Sequence, residues 1–289
     1  MIDFIRLHKN HFSIQRFIDE AIVEDLGDGD HTSNATIPAD KKGTMQLLVK
    51  EDGVIAGVEA AVRIFKTINK NIAVKVLIKD GALVKKGDVV LTVKGPVRSL
   101  LFAERLVLNI MQRMSGIATH TAQLQQLCKG TKCQVIDTRK TTPGFRFFEK
   151  WAVLIGGGSN HRYGLFDMVL IKDNHIDFCG GITQAIDAAT NYLKKNKKKL
   201  RIEVETRTLA DVKAVLAHGG FHRIMLDNFS IADTRKAVQL INGRYEVESS
   251  GGITAKTLAK YAQCGVDYIS VGALTHHVKS LDLSLKAVK

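Results

Sequence analysis

The stretch that decides the fold is "VIDTRKTTPGFR", residues 135–146, where an apolar pair runs directly into aspartate, threonine, arginine and lysine. The same rhythm recurs along the second half of the chain: a short apolar run ends in charged or glycine-rich residues. The runs are "QVIDTRK" (134–140), "DMVLIKDNH" (167–175), "LRIEVETR" (200–207), "RIMLDNF" (223–229), "YEVESSGG" (245–252) and "YISVGAL" (268–274). They predict six buried strands.

Helix-length segments separate these runs. They are "ITQAIDAATNYLKK" (182–195), "TLADVKAVLAHG" (208–219), "SIADTRKAVQLI" (230–241) and "TAKTLAKYAQCG" (254–265). Regular alternation of strand and helix predicts a parallel sheet, and a sheet closed into a barrel carries its chemistry at the carboxyl ends of the strands. An open doubly wound sheet is the alternative. Polar residues end every strand instead of clustering at one switch point, which favours the barrel.

Residues 1–112 have a different character. "FSIQRFIDEAIVEDLGDGDHTS" (12–33) predicts a helix stopped by its Gly-Asp cluster, with Asp30 or Thr32 capping the next turn. Short β-like runs punctuated by Asp-Gly turns follow over 44–57 and 72–95. They are similar to the turns of biotinyl and lipoyl carriers, but no lysine stands at an exposed hairpin tip. A long helical pattern over 99–130 then joins the two parts.

Composition describes an ordinary globular protein. The chain has 289 residues, 45% of them hydrophobic, which can fill a sizeable core. No apolar run reaches the roughly 18 residues that a membrane span needs, and the start has no secretory cleavage pattern, so a cytoplasmic location without membrane contact is expected. The four cysteines fit no common zinc spacing and are expected to be reduced.

The net charge of +13 raises the question of nucleic acid. Six positives fall in the single run "KKNKKKLR" (194–201), which closes a predicted helix where cations complement the dipole. Binding to nucleic acid would call for interleaved aromatic residues, and this run has only Tyr192 nearby. The remaining moderate excess suits an enzyme of polyanionic substrates, and no nucleic-acid partner is expected.

The strand ends collect charged side chains that would meet at the barrel mouth. They are Arg139, Lys140, His161, Arg162, Lys172, Asn174, Glu203, Glu205, Asp227 and Asn228. So many cations favour a polyanionic ligand. Alternation in "IEVET" puts Glu203 and Glu205 on one inward face, with Glu205 nearer the mouth and Glu203 expected to bond Lys172 or Lys140.

Glycines mark a candidate phosphate site after the last two strands. Gly251, Gly252 and Gly272 would leave backbone N–H groups open to an anion, and barrels often bind phosphate there. The "GGG" at 156–158 is no P-loop, because Gly-Lys-Ser/Thr does not follow. No nucleophile elbow or zinc motif occurs, which favours catalysis by charge stabilisation of a phosphorylated substrate.

Several long motifs, in order, carry a family resemblance. They are "EDLGDGDHTS" (24–33), "ERLVLNIMQRMSGIAT" (104–119), "DTRKTTPGFR" (137–146), "GGGSNHRYGLFDMVLIKDNH" (156–175), "IEVET" (202–206), "IMLDNF" (224–229) and "ESSGGI" (248–253). Together they resemble the quinolinate phosphoribosyltransferases, over nearly the whole chain. The resemblance implies an N-terminal α/β sandwich domain (1–112) and an incomplete, TIM-like α/β barrel (113–289) bearing the active site, with a C-terminal tail that can return to the first domain.

The same resemblance implies a reaction and an assembly. Quinolinate and phosphoribosyl pyrophosphate would give nicotinate mononucleotide, pyrophosphate and carbon dioxide, with Mg²⁺, in de novo NAD synthesis. Family members form homodimers in which one subunit's N-terminal domain caps the other's barrel, and some form hexamers. Small-molecule substrates and a second copy of the chain are therefore the expected partners.

Site residues follow by position from the resemblance. Quinolinate would contact Arg105 (from the second subunit), Thr138, Arg139, His161, Arg162 and Lys172. The phosphoribosyl group would contact Lys140, Ser249, Ser250, Gly251, Gly252 and Gly272, with His276 nearby. Lys140, Lys172, Glu205 and Asp227 would be catalytic, with Glu205 and Asp227 meeting the ribose hydroxyls and Mg²⁺, although the spacing leaves Glu203 as an alternative to Glu205.

A sister phosphoribosyltransferase is the alternative function, either ModD-like or specific for nicotinate. The presence of Arg105, Arg139, Lys140, His161 and Arg162 favours the substrate with two carboxylates. Arginine forks bind carboxylates bidentately, so they can discriminate against an analogue that lacks one carboxylate.

Overall fold

The computed structural model describes residues 4–8 and 10–288. The chain divides into two compact units. The first comprises Met1–His120, Thr142–Gly157 and His277–Lys289, and the second comprises Thr121–Thr141 and Gly158–His276. Each unit is therefore built from more than one segment of the chain.

The first unit contains helices and mostly antiparallel strands. Its elements are α1 (Phe4–His8), α2 (Ile14–Leu26), α3 (His31–Thr36), β1 (Lys42–Val49), β2 (Gly53–Val54), α4 (Val58–Ile68), β3 (Ala73–Val76), β4 (Leu83–Val84), β5 (Val89–Pro96), most of α5 (Val97–Leu127), α6 (Arg146–Ile155) and β12 (Leu283–Ala287). The side chain of Asp30 accepts the Ser33 N–H at 2.9 Å and caps α3, as the sequence predicts.

A four-stranded sheet forms the centre of the first unit, in the order β12-β1-β5-β3, and β2 pairs separately with β4. Alternate residues of β1, namely Met45, Leu47 and Val49, are buried because side chains alternate across a strand. Helix α4 buries Ile64 and Phe65 and contacts β3 and α2. This helix-on-sheet unit is the expected α/β sandwich.

Helix α6 was not predicted from the sequence. Its first turn, "RFFE", follows the Pro-Gly turn at 143–144, and both phenylalanines are buried. Phe147 stacks on Phe12 with ring centroids 4.5 Å apart, and Phe148 lies 4.9 Å from Phe17. The aromatic contacts explain why this segment belongs to the first unit.

The second unit alternates strand and helix as predicted. Its elements after the end of α5 are β6 (Gln134–Ile136), β7 (Met168–Ile171), α7 (Asp173–Cys179), α8 (Ile182–Lys195), β8 (Arg201–Thr206), α9 (Leu209–His218), β9 (Arg223–Asp227), α10 (Ile231–Ile241), β10 (Glu246–Ser250), α11 (Ala255–Ala262), β11 (Tyr268–Ser270) and α12 (Ala273–His276). All six predicted strands and the four predicted helices between them are present.

The strand order confirms the barrel. The six strands are parallel in the order β6-β11-β10-β9-β8-β7, so the first strand pairs with the last. A doubly wound sheet would instead place its first strand near the middle. Among the described residues no ladder joins β6 to β7, and the bridge between Ile136 and Ser159 stands at this seam, which makes the barrel incomplete.

Side chains cap the first turns of the helices that connect one barrel strand to the next. Thr208 Oγ1 accepts the Asp211 N–H at 3.1 Å before α9, and Ser230 Oγ accepts the Asp233 N–H at 3.1 Å before α10. Short loops capped in this way leave the polar strand ends at one edge of the barrel. In the part of the chain that the structure describes, every helix is too short or too polar to cross a bilayer.

Candidate active site

A cleft of about 790 Å³ opens at the carboxyl ends of the barrel strands. Its volume is typical of small-molecule sites. Its lining includes Thr138, Arg139, Lys140, His161, Arg162, Lys172, Glu205, Asp227, Asn228, Glu248, Ser250, Gly251, Gly252, Gly272 and His276. The structure thus brings together most of the residues that the sequence singled out.

Four cations form one wall of the cleft: Arg139, Lys140, Arg162 and Lys172. Among the described residues, none of the four forms an ion pair with a carboxylate of the protein. Burial, and next the charge of Arg139, lower the pKa of Arg162. Crowded cations without protein counter-ions favour a polyanionic ligand, which would supply the missing negative charge.

Lys140 is held by its backbone. Its N–H donates to Thr138 Oγ1 at 3.0 Å, and its carbonyl oxygen accepts the Thr275 hydroxyl at 2.8 Å. A Cβ added at Gly272 would lie 3.1 Å from Lys140 Cδ and 3.2 Å from the His276 ring. Gly272 therefore leaves the space through which the Lys140 side chain passes.

Glu205 and Asp227 form a carboxylate pair at the ends of β8 and β9. Burial, and next the negative charge of Asp227, raise the pKa of Glu205, while Lys172 opposes the rise. Asn228 Nδ2 donates to Asp227 Oδ2 at 2.8 Å. Two carboxylates whose charges oppose each other are a suitable oxygen donor set for a divalent cation, which would relieve that repulsion.

Glycines form a further part of the cleft lining. Gly251 and Gly252 follow β10 with φ of +88° and +61°, a left-handed conformation that suits glycine, and α11 begins shortly after them at Ala255. Ser250 lies half-buried beside them. This exposed backbone ahead of a helix is a geometry in which N–H groups can bind phosphate.

The floor of the cleft is made of buried titratable side chains. His161 Nε2 lies 3.1 Å from Glu203 Oε2 and 3.4 Å from Glu248 Oε2. Arg223 Nη1 lies 3.2 Å from Glu248 Oε2 and 3.8 Å from Glu203 Oε2. Glu203 therefore has His161 and Arg223 as its neighbours, which corrects the expectation that it would bond Lys172 or Lys140. Its place below the cleft lining favours Glu205 as the carboxylate that faces a ligand.

Asp137 fixes the segment that carries two of the predicted site residues. It directly follows β6, is fully buried, and its Oδ1 accepts the His161 N–H at 2.9 Å. Its Oδ2 accepts a hydrogen from Asn160 Nδ2. These bonds hold the segment before Arg162 against β6 at the seam of the barrel, where ladder hydrogen bonds are few.

Four predicted residues lie outside the cleft lining: Asn174, Glu203, Arg105 and Ser249. Arg105 is exposed on α5, in the first unit. Ser249 is buried in β10, where alternation turns it away from the face shared by Glu248 and Ser250. Their predicted contacts with ligand remain predictions.

Sequence reasoning missed Asp137, Arg223 and Glu248 as members of the site. A signal existed for Glu248, because "EVESS" alternates as "EVET" does and places Glu248 and Ser250 on the inward face. The position of Asp137 directly after an apolar pair predicts a charged side chain at the barrel mouth. The structure shows that it is a buried acceptor of hydrogen bonds instead.

Comparison with known proteins agrees over nearly the whole chain. Residues 30–115 match the family model of the quinolinate phosphoribosyl transferase N-terminal domain, and residues 117–286 match that of its C-terminal domain. A Nicotiana tabacum protein named quinolinate phosphoribosyltransferase (decarboxylating) 1b is 47% identical over 290 residues, covering 95% of this chain and 82% of the relative.

Bacterial proteins give the same result. A Bacillus subtilis protein named probable nicotinate-nucleotide pyrophosphorylase (carboxylating) is 39% identical over 276 residues, covering 96% of this chain and 94% of the relative. The crystal structure of NadC from Streptococcus pyogenes superposes with a TM-score of 0.90 at 38% identity, covering 96% of this chain and 97% of that one. The chain belongs to the quinolinate phosphoribosyltransferase family.

Proposed function

We propose that this protein converts quinolinate and phosphoribosyl pyrophosphate into nicotinate mononucleotide, pyrophosphate and carbon dioxide. The observation that carries the proposal is the cleft itself, where four cations without carboxylate partners face a carboxylate pair and a glycine-rich turn. Both substrates are polyanions, and one of them contains a ribose. The cleft offers a matching group for each part of them.

Quinolinate would bind at the cationic wall. Arg139, Arg162 and Lys172 can neutralise its two carboxylates, with Thr138 and His161 beside them. The partially buried position of Arg162 strengthens a charge-assisted bond, because water competes less there. Arg105 would complete this pocket from the second subunit of a homodimer.

The phosphoribosyl group would bind across the cleft. Lys140, Ser250, Gly251, Gly252 and Gly272 are proposed to contact its phosphates, with His276 at the rim and Ser249 behind the turn. Glu205 and Asp227 would hold the ribose hydroxyls and Mg²⁺. When bound, Mg²⁺ would neutralise charge on the pyrophosphate that leaves.

The chemistry is a displacement followed by loss of a carboxylate. The ring nitrogen of quinolinate forms a bond to the anomeric carbon, and pyrophosphate leaves with the electron pair of the broken C–O bond. Glu205 and Asp227 stabilise the positive charge that develops on the ribose, and Lys140 and Lys172 stabilise the departing negative charge. The positively charged pyridine then accepts the electron pair as carbon dioxide departs, and a proton takes the vacant position.

The test is to offer purified protein phosphoribosyl pyrophosphate and Mg²⁺ with either quinolinate or nicotinate. Nicotinate mononucleotide is followed by chromatography, and label from the 2-carboxyl group of quinolinate is followed as carbon dioxide. We expect both products from quinolinate and none from nicotinate. Turnover of nicotinate alone would reject the quinolinate assignment and favour a sister phosphoribosyltransferase.

A homodimer and a cytoplasmic location belong to the same proposal. Complementation tests the shared site: Arg105→Ala and Lys140→Ala, each inactive alone, should regain about a quarter of wild-type activity when subunits mix randomly, because one site in such a heterodimer has both residues intact. Failure to regain activity although subunits exchange would reject shared sites.

A fluorescent fusion tests the cytoplasmic location, since relatives in Nicotiana tabacum and Oryza sativa are named mitochondrial and chloroplastic.

A further inference from the structure

Asn228 has a backbone conformation that no helix end explains. In the described part of the chain, the non-glycine residues with positive φ are Lys197, Asn228 and Asn242. Lys197 and Asn242 follow helices α8 and α10, and a left-handed residue is a usual way to end a helix. Asn228 instead follows strand β9, with φ of +56°, and lines the cleft. Backbone strain of this kind is typical of functional sites.

The side-chain amide of Asn228 is held from two directions. Its Nδ2 donates to Asp227 Oδ2 at 2.8 Å. Its amide carbon lies 2.6 Å from the point where a Cβ of Gly251 would stand, and its Oδ1 lies nearer still, so the amide packs against the bare backbone of that glycine. Turning the amide over would bring Oδ1 to Asp227 Oδ2, where two acceptors repel each other. The amide therefore has one favourable orientation.

The two carboxylates of the pair are held by different kinds of donor. Glu205 Oε1 accepts the Asp173 backbone N–H at 3.4 Å, a bond that does not depend on the side chain of Asp173. Asp227 Oδ2 accepts from the side chain of Asn228, and within the described protein no hydrogen bond engages its Oδ1. Oδ1 is thus the oxygen of Asp227 that is available to a ligand.

Repulsion between the carboxylates would move Asp227 if nothing held it. Burial, and next the charge of Asp227, raise the pKa of Glu205, which reflects the proximity of the two charges. Like charges favour separation, so an unrestrained Asp227 carboxylate would turn away from Glu205. The bond from Asn228 opposes that movement and supplies a partial positive charge at Oδ2.

We propose that Asn228 is a positioning residue of the phosphoribosyl site, which holds Asp227 with Oδ1 toward the ribose hydroxyls. The left-handed backbone is retained because it brings the amide between Asp227 and Gly251, where the ribose and phosphate parts of the ligand would meet. This inference rests on the proposed function, in which phosphoribosyl pyrophosphate occupies this part of the cleft. Asn228 acts on that ligand through the carboxylate of its neighbour.

Calorimetric titration of phosphoribosyl pyrophosphate with Mg²⁺ tests the proposal without turnover, because quinolinate is left out. Asn228→Asp keeps the size of the side chain and tolerates left-handed backbone, but it places a carboxylate oxygen beside Asp227 Oδ2. Asn228→Gly removes the amide and relieves the backbone. A hydrogen bond to a charged group is lost in both, and repulsion is added in the first. We expect the Kd to rise about tenfold in Asn228→Gly and at least about 30-fold in Asn228→Asp.

Asn242→Asp is the matched control. Asn242 is also a left-handed asparagine, with φ of +47°, but it ends α10 and lies outside the cleft lining. Its substitution should leave the Kd of phosphoribosyl pyrophosphate unchanged. Quinolinate, titrated alone, is the second control, and its Kd should be the same in wild type and in all three variants. A merely structural role of Asn228 would weaken the binding of both ligands together.

A double-mutant cycle tests whether Asn228 acts through Asp227. In an Asp227→Ala background the amide has no carboxylate to hold, so adding Asn228→Gly should change the Kd of phosphoribosyl pyrophosphate by less than about twofold. An undiminished effect of Asn228→Gly in that background would overturn the positioning role, because the amide would then act on the ligand directly.

The outcomes separate this inference from the proposed function. An unchanged Kd of phosphoribosyl pyrophosphate in Asn228→Gly and Asn228→Asp, or an equal loss of affinity for quinolinate, would overturn the role of Asn228 and leave the function standing. Wild type that binds phosphoribosyl pyrophosphate but not quinolinate would overturn the quinolinate assignment alone. Failure of wild type to bind phosphoribosyl pyrophosphate would overturn both. If Asn228→Asp does not fold, Asn228→Gly and the cycle still decide the question.

Discussion

Gly251, which follows β10, lies directly against the side chain of Asn228, which follows the neighbouring strand β9. A Cβ added at Gly251 would collide with Asn228 Oδ1 and approach its backbone nitrogen to 2.9 Å. Asn228 is itself left-handed, with φ of +56°, and its N–H donates to the Ser250 carbonyl at 2.9 Å. The hydrogen bond joins the two loops that would enclose phosphate and ribose, and the missing side chain of Gly251 allows them to approach this closely.

Substitution of Gly251 by alanine should therefore impair phosphoribosyl pyrophosphate binding. The collision forces the loop apart, and we expect its KM to rise at least about tenfold. Gly243→Ala is the control, since Gly243 has φ of +71° but open space around it. Steady-state kinetics measures KM for phosphoribosyl pyrophosphate in both variants. Equal KM values would show that backbone strain alone, and not the contact with Asn228, accounts for the change in KM.

Neutralising the carboxylate pair should act on turnover. Glu205→Gln keeps the shape of the side chain but removes a charge near the developing positive ribose, so kcat should fall about 100-fold or more. The Mg²⁺ concentration for half-maximal rate should rise as well. Asp187→Asn, an exposed acid paired with His218, is the control. Unchanged kcat in Glu205→Gln would contradict the role proposed for this pair.

Asp137→Asn should weaken quinolinate binding more than it slows turnover. Asparagine has one acceptor oxygen, so either the His161 N–H or Asn160 Nδ2 faces an NH₂ group. The displaced segment includes Arg162, and we expect KM for quinolinate to rise about tenfold with a stability loss of about 1–3 kcal/mol. Asp267→Asn is the control at the opposite strand ends: it leaves either the Val247 N–H or Lys132 facing an NH₂ group, and should lower stability while KM stays unchanged.

Complete burial, and next the negative charge of Glu203, raise the pKa of Glu248 to about 8, and this predicts a pH dependence of stability. The native state holds this proton up to about pH 8, whereas an ordinary glutamate releases it near 4.5. The folded state binds more protons between these values, so wild-type stability relative to Glu248→Gln falls as pH rises, by on the order of a few kcal/mol.

Urea unfolding of both proteins at about pH 5 and about pH 8.5 measures this difference. Glu246→Gln is the control. Its ion pairs with Arg201 and Arg223 lower the pKa of Glu246 against the effect of burial, so its contribution is lost only in more acid solution. A constant difference between wild type and Glu248→Gln would place the proton elsewhere.

In the first unit, the half-buried Arg113 forms an ion pair with Glu149. Glu149 is fully buried, and its Oε1 accepts Arg113 Nε–H at 2.9 Å while Oε2 accepts the Thr142 N–H at 3.1 Å. Arg113→Met leaves that carboxylate without its cation and should cost about 3–5 kcal/mol in urea unfolding. Arg63→Met breaks an exposed pair with Glu59 and should cost less than about 1 kcal/mol. Equal losses would show that burial of Glu149 adds nothing.

The sequence predicted the barrel well because its strands are short apolar runs with polar ends, and those ends are also the site. Glu205 and Asp227 could be placed together because the carboxyl ends of neighbouring parallel strands meet at one edge. Arg223 could not be placed in the same way. It begins β9, at the end of the strand away from the cleft, and only its long side chain brings it to Glu248.

The sequence did not predict helix α6 or the hydrogen bonds across the seam of the barrel. Helix α6 follows the strand-end motif, and its pattern could not reveal that Phe147 and Phe148 pack on Phe12 and Phe17, far away along the chain. Such contacts between distant segments have no local periodicity. For the same reason the hydrogen bonds of Asp137 across the seam were missed.

The edge strand β12 has a consequence for the order in which the protein is made. Leu285 pairs with Leu47, so the sheet of the first unit takes its last strand from the end of the chain. A ribosome releases β1 early and β12 last, after the whole barrel segment has emerged. The barrel strands can pair as they emerge, because most of their ladders join strands that are neighbours in the chain. The exception is β11, which pairs with β6. The first unit, although it leads the sequence, is completed last.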